Sequence, residues 1–174
     1  MKTAIPEGIS CKIEGKVINC VRGNTSISRN IFQPNISASI SGNEIVLGCV
    51  KSNKKDVANI HTHTAHLNNI FLGLKEPFLY ELEICNVHFP MTVKIDGSKF
   101  VINNFLGEKV PRSAEIVEGA NVKVEGNKVL VSSADIEKAG QTAANIEKAA
   151  RVTKKDRRIF QDGIFITKKP EVIL

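Results

Sequence analysis

Tryptophan is absent from this chain of 174 residues, and the aromatic residues together reach only 5%. That scarcity argues against a protein that lays single-stranded nucleic acid along an aromatic platform. No run of 18 apolar residues exists, so no segment reads as a membrane span and no membrane partner is expected. The opening Met1-Lys2-Thr3-Ala4-Ile5-Pro6 lacks the apolar stretch of a signal peptide. Cys11, Cys20, Cys49 and Cys85 form no C-x-x-C pair and are spaced too widely for a zinc knuckle. Reduced, partly buried thiols in an intracellular protein are the simplest reading.

Reaction chemistry is equally sparse. No Ser/His/Asp order, nucleophile elbow or paired-carboxylate cluster can be made out, so an enzyme is the weaker class. Cys85 and His88 are close in sequence, but an activated thiol needs a cleft that the sequence does not reveal. His61, His63 and His66 invite a metal reading. At about 100° per residue, His63 and His66 fall on one flank of a helix and His61 on the other. Three such rings do not converge on one ion, and RNA contact or surface exposure is expected instead. Gly140-Gln141-Thr142 lacks the strand-then-helix context of a phosphate-binding glycine loop. Inside a helix, that glycine is explained by a close helix–sheet contact. No metal or cofactor is expected.

What the chain does have is a positive balance. Apolar residues make up 42% and charged residues 24%, with a formal net charge of +6. The length suits one domain or two small ones. The charge suggests a polyanionic partner, nucleic acid being the commonest, while a surface that is merely well solvated is the other reading.

An internal repeat with a period of about 80 residues organises the chain. Ile40-Ser41-Gly42-Asn43-Glu44-Ile45-Val46-Leu47 matches Val124-Glu125-Gly126-Asn127-Lys128-Val129-Leu130-Val131, and Ile13-Glu14-Gly15 matches Ile95-Asp96-Gly97. Each Gly-Asn pair lies between strand-forming runs and can take the positive φ of a tight turn. Residues 35–47 and 121–132 therefore read as hairpins, and 9–18, 91–103 and 110–117 as strands. A first helix is expected over 53–74, with Val57, Ile60, Thr64, Leu67, Phe71 and Leu74 on its buried face. A second is expected over 134–150, capped by Ser132 or Ser133, with Asp135 and Glu137 at its positive end. Ile136, Ala139, Gly140, Ala143, Ile146 and Ala150 form its inner stripe. Strands over 78–84 and 163–167 then close the two halves. The expected fold is α+β: two similar domains, each a mainly antiparallel sheet covered on one face by a helix, from an internal duplication. The repeats are expected at 1–85 and 86–174.

The charge is concentrated after the second helix. Arg151, Lys154, Lys155, Arg157, Arg158, Lys168 and Lys169 are opposed only by Asp156 and Asp162, a local net charge of +5. Arg offers a planar fork and Lys a mobile point charge to phosphates. Such contacts position a protein on RNA by shape and backbone. A solvated loop with local ion pairs is the alternative. Arg22 and Arg29 in the first half, and Lys109 and Arg112 at the equivalent place in the second, either widen this footprint or are ordinary surface charge.

Several segments together resemble one known family. Gly140-Gln141-Thr142-Ala143-Ala144-Asn145-Ile146-Glu147 resembles the signature helix of the universal large-subunit ribosomal protein six, called protein nine in eukaryotes. Lys155-Asp156-Arg157-Arg158-Ile159-Phe160-Gln161-Asp162-Gly163-Ile164-Phe165-Ile166 resembles the segment that follows it in archaeal and eukaryotic members. His88-Phe89-Pro90, Asn103-Asn104-Phe105-Leu106-Gly107-Glu108-Lys109, and Ser28-Arg29-Asn30 with Gln33-Pro34-Asn35-Ile36 resemble three more of its motifs. The likeness spans nearly the whole chain and is strongest over 88–170.

This resemblance implies a cytoplasmic structural protein of the large ribosomal subunit that binds large-subunit rRNA in translation. It implies that the second domain makes the main contacts, near the stalk base and the docking region for translation factors. Neighbouring large-subunit proteins and translation factors are the further partners implied. By position, Gln141, Arg151, Lys154, Lys155, Arg157, Arg158 and Gly163 would approach RNA, with Lys109, Arg112, Lys168 and Lys169 beside them. The family's Gly-Pro-(Lys or Arg)-Gly turn is here Cys20-Val21-Arg22-Gly23, a departure that bears on contacts by the first domain. The chain stops at Leu174 without a long basic tail. An RNA-binding module working outside the ribosome is the rival binding reading.

Overall fold

Gly42 and Gly126 both sit at φ +60°, the left-handed region where a Cβ is costly. Each opens a two-residue turn between antiparallel strands, with Ser41 opposite Glu44 and Glu125 opposite Lys128. The computed structural model describes residues 1–31, 33–49 and 53–171. Residues 172–174, which the sequence reading places in the second repeat, lie outside the described residues. The chain divides into two units, with Met1–Pro77 in the first and the second beginning at Phe78.

The first unit runs β1 (Lys2–Ala4), β2 (Ser10–Glu14), β3 (Val17–Arg22), β4 (Thr25–Asn30), β5 (Ile36–Ser41), β6 (Glu44–Cys49) and α1 (Lys54–Lys75). Its strands form two three-stranded sheets, ordered β1-β6-β5 and β2-β3-β4, both antiparallel. The second unit runs β7 (Phe78–Cys85), β8 (Thr92–Asp96), β9 (Lys99–Asn103), a 3-10 turn (Phe105–Gly107), β10 (Arg112–Glu115), β11 (Asn121–Glu125), β12 (Lys128–Ser133), α2 (Ile136–Ala149) and β13 (Gly163–Lys168). Its sheets are ordered β10-β9-β8 and β11-β12-β7-β13.

The two units repeat one plan. Sheet β2-β3-β4 corresponds to β8-β9-β10, and β1-β6-β5 to β7-β12-β11, each set followed by one helix. The α+β architecture of similar, mainly antiparallel domains is what the sequence leads one to expect, with two sheets per half rather than one.

Two expectations change. The strand at 78–84 does not close the first half: β7 pairs with β12 and β13 of the second unit, Leu82 lying opposite both Val129 and Ile166. It is the counterpart of β1, so the structural division falls at 77/78 where the sequence reading drew it at 85/86. Residues 9–18 and 91–103 are each a hairpin, not one strand. They fold at Gly15-Lys16 and Gly97-Ser98, where glycine alone carries the positive φ.

Helix α1 starts with a reciprocal cap: the backbone N–H of Asp56 donates to Asn53 Oδ1 at 2.9 Å, and that of Asn53 to Asp56 Oδ2 at 3.3 Å. Thr64, Leu67, Phe71 and Leu74 of the expected face are buried, His63 and Ile70 widen the stripe, and Ile60 is half-buried. Val57 is left 44% exposed. Helix α2 is capped by Asp135, whose Oδ1 accepts from the N–H of Glu137 at 2.9 Å, rather than by Ser132 or Ser133. Ser133 instead donates to the Gly119 carbonyl at 2.9 Å, tying β12 to the loop before β11.

Ala139, Ala143 and Ile146 of α2 are fully buried. The last two join Leu82, Phe100, Ile102, Val129 and Ile164 in the core of the second unit. Gly140 is where helix meets sheet, since a Cβ there would lie 3.0 Å from the Tyr80 hydroxyl. Thr142 is buried in the same contact and accepts from the N–H of Val117 at 3.2 Å.

Candidate nucleic-acid interface

The segment between α2 and β13 alternates anchors with cations. Val152 is buried in the core of the second unit. Lys154 turns the chain at φ +60°. Asp156 Oδ1 accepts from the N–H of Arg158 at 3.0 Å, and its carbonyl accepts from Ile159 and Phe160 at 3.1 and 2.9 Å. An Asp-initiated turn of this kind sets the backbone locally. Asp162, 2% exposed, then accepts from the backbone N–H of His88 at 2.9 Å and from its Nδ1 at 2.5 Å. The imidazole stacks on Phe160 with ring centroids 4.8 Å apart.

Burial pushes the Asp162 carboxyl up, but the backbone N–H of His88, its imidazole and the N–H of Val87 outweigh it, leaving the carboxyl below its ordinary 3.8. An ionised carboxylate can only accept, so Nδ1 of His88 carries the proton. Sequence reasoning missed this pair. The only signal was that His88-Phe89-Pro90 and Gln161-Asp162-Gly163 both stood out as motifs.

Between the anchors the cations face solvent. The side chains of Arg151, Lys154 and Arg157 are exposed and have no partner among the described residues. Lys155 Nζ lies 4.6 Å above the Phe160 ring, a cation–π contact that leaves it at the surface. The Arg158 side chain is 91% exposed and pairs with Asp156 at 3.1 Å, which with the Arg158 backbone N–H holds that carboxyl below its usual range. Lys168 is exposed and pairs loosely with Glu81 at 3.5 Å. Lys169 and Lys109 are exposed.

Three of the residues expected near RNA also hold the fold together. Arg112 turns inward: Nε and Nη2 grip both oxygens of Glu108 at 2.7 and 2.6 Å, and Nη1 donates to the carbonyls of Ala149 and Arg151 at 3.0 and 2.8 Å. Its guanidinium lies 4.2 Å over the Phe105 ring. A five-donor fork used this way clamps the end of α2 and leaves little for a phosphate. Gly163 is buried, and a Cβ there would meet the Phe165 ring at 2.8 Å and the Ala150 carbonyl at 3.3 Å. Gln141 is exposed but donates to Asn145, which in turn donates to the Glu115 carbonyl at 3.0 Å, linking α2 to β10.

In the first unit, Arg22 donates to the Leu74 carbonyl at 2.9 Å, satisfying the C-terminal end of α1. Arg29 lies half-buried on β4. His63 is not at the surface: it is buried, and its Nε2 donates to Gln33 Oε1 at 2.6 Å. Burial, then the charges of His66 and Arg29, hold its pKa below 6.5. Among the described residues no cluster of three or more His, Cys, Asp or Glu is placed to hold a metal, and no helix is long and apolar enough to cross a membrane.

Beside the loop lies an open cleft of about 850 Å³, whose lining includes Lys148, Arg151, Arg157, Arg158, Val152 and Phe165. Exposed cations beside an open cleft are features of the class of proteins that dock on polyanions. Comparison with known proteins sharpens the class. The ribosomal protein L6 family model matches residues 89–163. The chain is 40% identical to the large ribosomal subunit protein uL6 of Haloarcula marismortui over 166 residues, covering 95% of this chain and 93% of that one. It is 41% identical to uL6 of Methanosarcina mazei over 165 residues (95% and 94%) and 39% identical to uL6 of Methanococcus vannielii over 170 (98% and 93%). The chain belongs to the ribosomal protein L6 family, in its archaeal and eukaryotic branch, and its role is structural rather than enzymatic.

Proposed function

We propose that this protein is a structural constituent of the cytoplasmic large ribosomal subunit, acting in translation by binding large-subunit rRNA through the loop and strand at 151–169. The second unit makes the main rRNA contact. The position is near the stalk base and the docking region of translation factors, beside neighbouring large-subunit proteins. One observation carries the reading: exposed cations stand on a backbone pinned at Val152, Asp156 and Asp162. A loop already ordered loses little conformational freedom on binding, so its charge goes into phosphate contact and counterion release. A-form RNA hides its base edges in a deep groove, which suits recognition by shape and backbone.

Sedimentation of cell extract on a sucrose gradient tests the assignment. The protein is expected to travel with large subunits and with assembled ribosomes, and to leave them at high salt. Recovery mainly at the top of the gradient at low salt would instead favour an RNA-binding module working outside the ribosome.

A further inference from the structure

Phe165 is an aromatic side chain left 38% exposed on β13, while its strand neighbour Ile164 is buried. Its ring folds back along the strand over Gly163, at a distance that any Cβ at 163 would reduce to 2.8 Å from Cζ and 3.0 Å from Cε2. Glycine at 163 therefore leaves room for the ring in the lining of the cleft. The cleft's volume of about 850 Å³ falls in the range of roughly 300–1,000 Å³ usual for sites that enclose a small organic group. Its lining is half apolar, from Val87, Ala150, Val152 and the two phenylalanines.

The charges lining it are net positive, with Lys148, Arg151, Arg157 and Arg158 against Glu147 and Asp162. Lys148, Arg151 and Arg157 are exposed and without a partner among the described residues. The carboxylates that reach the cleft are already engaged: Asp162 with His88, and Glu147 with the N–H of Ile166 at 3.2 Å. A ligand entering here meets apolar side chains, a partly exposed aromatic ring and exposed cations. A nucleotide has that pattern in reverse, a flat base joined to an anionic phosphate.

We propose that the cleft seats one unstacked RNA base on the face of Phe165, with the adjoining phosphates on Arg151, Arg157 and Lys148. The proposal rests on the rRNA-binding reading and adds a contact that phosphate recognition alone does not need. Unpaired RNA bases splayed out of a loop or bulge are commonly held by stacking on aromatic side chains. Gly163 is then a positioning residue, acting through the ring it accommodates. A single aromatic suffices for one base, so the low aromatic content is no obstacle.

The test uses the full chain and transcribed large-subunit rRNA of the source organism, with dissociation constants measured across a salt series. Phe165→Leu keeps an apolar side chain but has no π face, and Phe165→Tyr keeps the face. Phe165→Leu is expected to weaken binding about 5- to 100-fold at every salt concentration, with the slope of log K against log salt unchanged. Phe165→Tyr is expected to bind like the parent. Gly163→Ala is expected to weaken binding by displacing the ring, and since a Cβ there also meets the Ala150 carbonyl at 3.3 Å its melting temperature is expected to fall, so its affinity is measured well below that temperature.

Photocrosslinking to rRNA containing 4-thiouridine supplies the second arm, with an adduct expected on the peptide that carries Phe165. Parent-like binding by Phe165→Leu, or crosslinks confined to the cationic loop, overturns the base seat while leaving phosphate recognition standing. Loss of the salt dependence itself from the parent protein would overturn the underlying reading. A crosslink in assembled subunits from the cleft to a neighbouring protein would show that a polypeptide fills it, and would also overturn the proposal.

Discussion

Asp162 is bonded twice to His88, through the backbone N–H and through Nδ1, across 74 positions of chain. The two bonds fasten the loop after β7 to the segment entering β13, and the stacked His88 and Phe160 rings extend the joint outward. The cationic loop is therefore held at its far end by a buried carboxylate, as it is held at its near end by Val152.

Removing that carboxylate should loosen the loop. Asp162→Ala is expected to cost about 1.5–3 kcal/mol, the usual worth of hydrogen bonds to a charged group, read as a lower urea midpoint. Trypsin cleavage after Arg157 and Arg158 should become faster. An unchanged midpoint with unchanged cleavage would mean that the loop is ordered by other contacts.

The same carboxylate sets an acid limit. Its folded value lies below the 3.8 of the unfolded chain, so the unfolded state binds the proton more readily in this range. Stability from this group is complete above the unfolded value and is lost as pH falls through the folded one. The neighbouring Cys85 thiol is held above its ordinary 9.0 by burial and by the charges of Glu83 and Asp162, so it does not ionise in this window. Unfolding free energy measured against pH should fall more steeply below about 3.8 in the parent than in Asp162→Asn. Parallel acid limbs would contradict the assignment.

Arg112 should behave as a strut and not as an RNA contact. Lysine cannot reproduce a fork that serves Glu108 and two carbonyls together. Arg112→Lys is expected to destabilise the protein by about 1–3 kcal/mol while leaving the salt slope of rRNA binding as it was. A flattened slope with unchanged stability would reverse the roles.

Gly140 should tolerate nothing large. A valine there drives a branched side chain into Tyr80, which a Cβ alone already approaches to 3.0 Å. Overpacking of this kind costs about 1–3 kcal/mol, to be read by calorimetry. A melting temperature equal to the parent's would mean that α2 can lift from the sheet without penalty.

Much of the fold is legible because its signals are local. Gly42-Asn43 and Gly126-Asn127 announce hairpins, and the spacing of Ala139, Ala143 and Ile146 announces a buried helix face. The place of β7 is not local: its partners Val129 and Ile166 lie about 50 and 80 positions further on, and its counterpart β1 is too short to show a pattern. Residue type also says little about direction. A run of Arg and Lys at 151–158 marks the cationic loop correctly, yet Arg112, of the same type, spends its donors on carbonyls and a carboxylate. Gly163 is placed near RNA only by the family resemblance, and the reason for a glycine there, the Phe165 ring lying against it, appears only in the fold. The His88–Asp162 joint depends on two segments meeting in space, which no single stretch of sequence encodes.

The salt dependence of rRNA affinity, compared between the parent and the Arg157→Ala/Arg158→Ala double variant, bears most directly on how this protein holds RNA. Every phosphate that goes without its cation takes roughly 0.7–0.9 off the slope of log K against log salt. The double variant should therefore bind more weakly, with a slope lower by about one to two. Equal slopes, with the variant folded as stably as the parent, would mean that these arginines never meet phosphate.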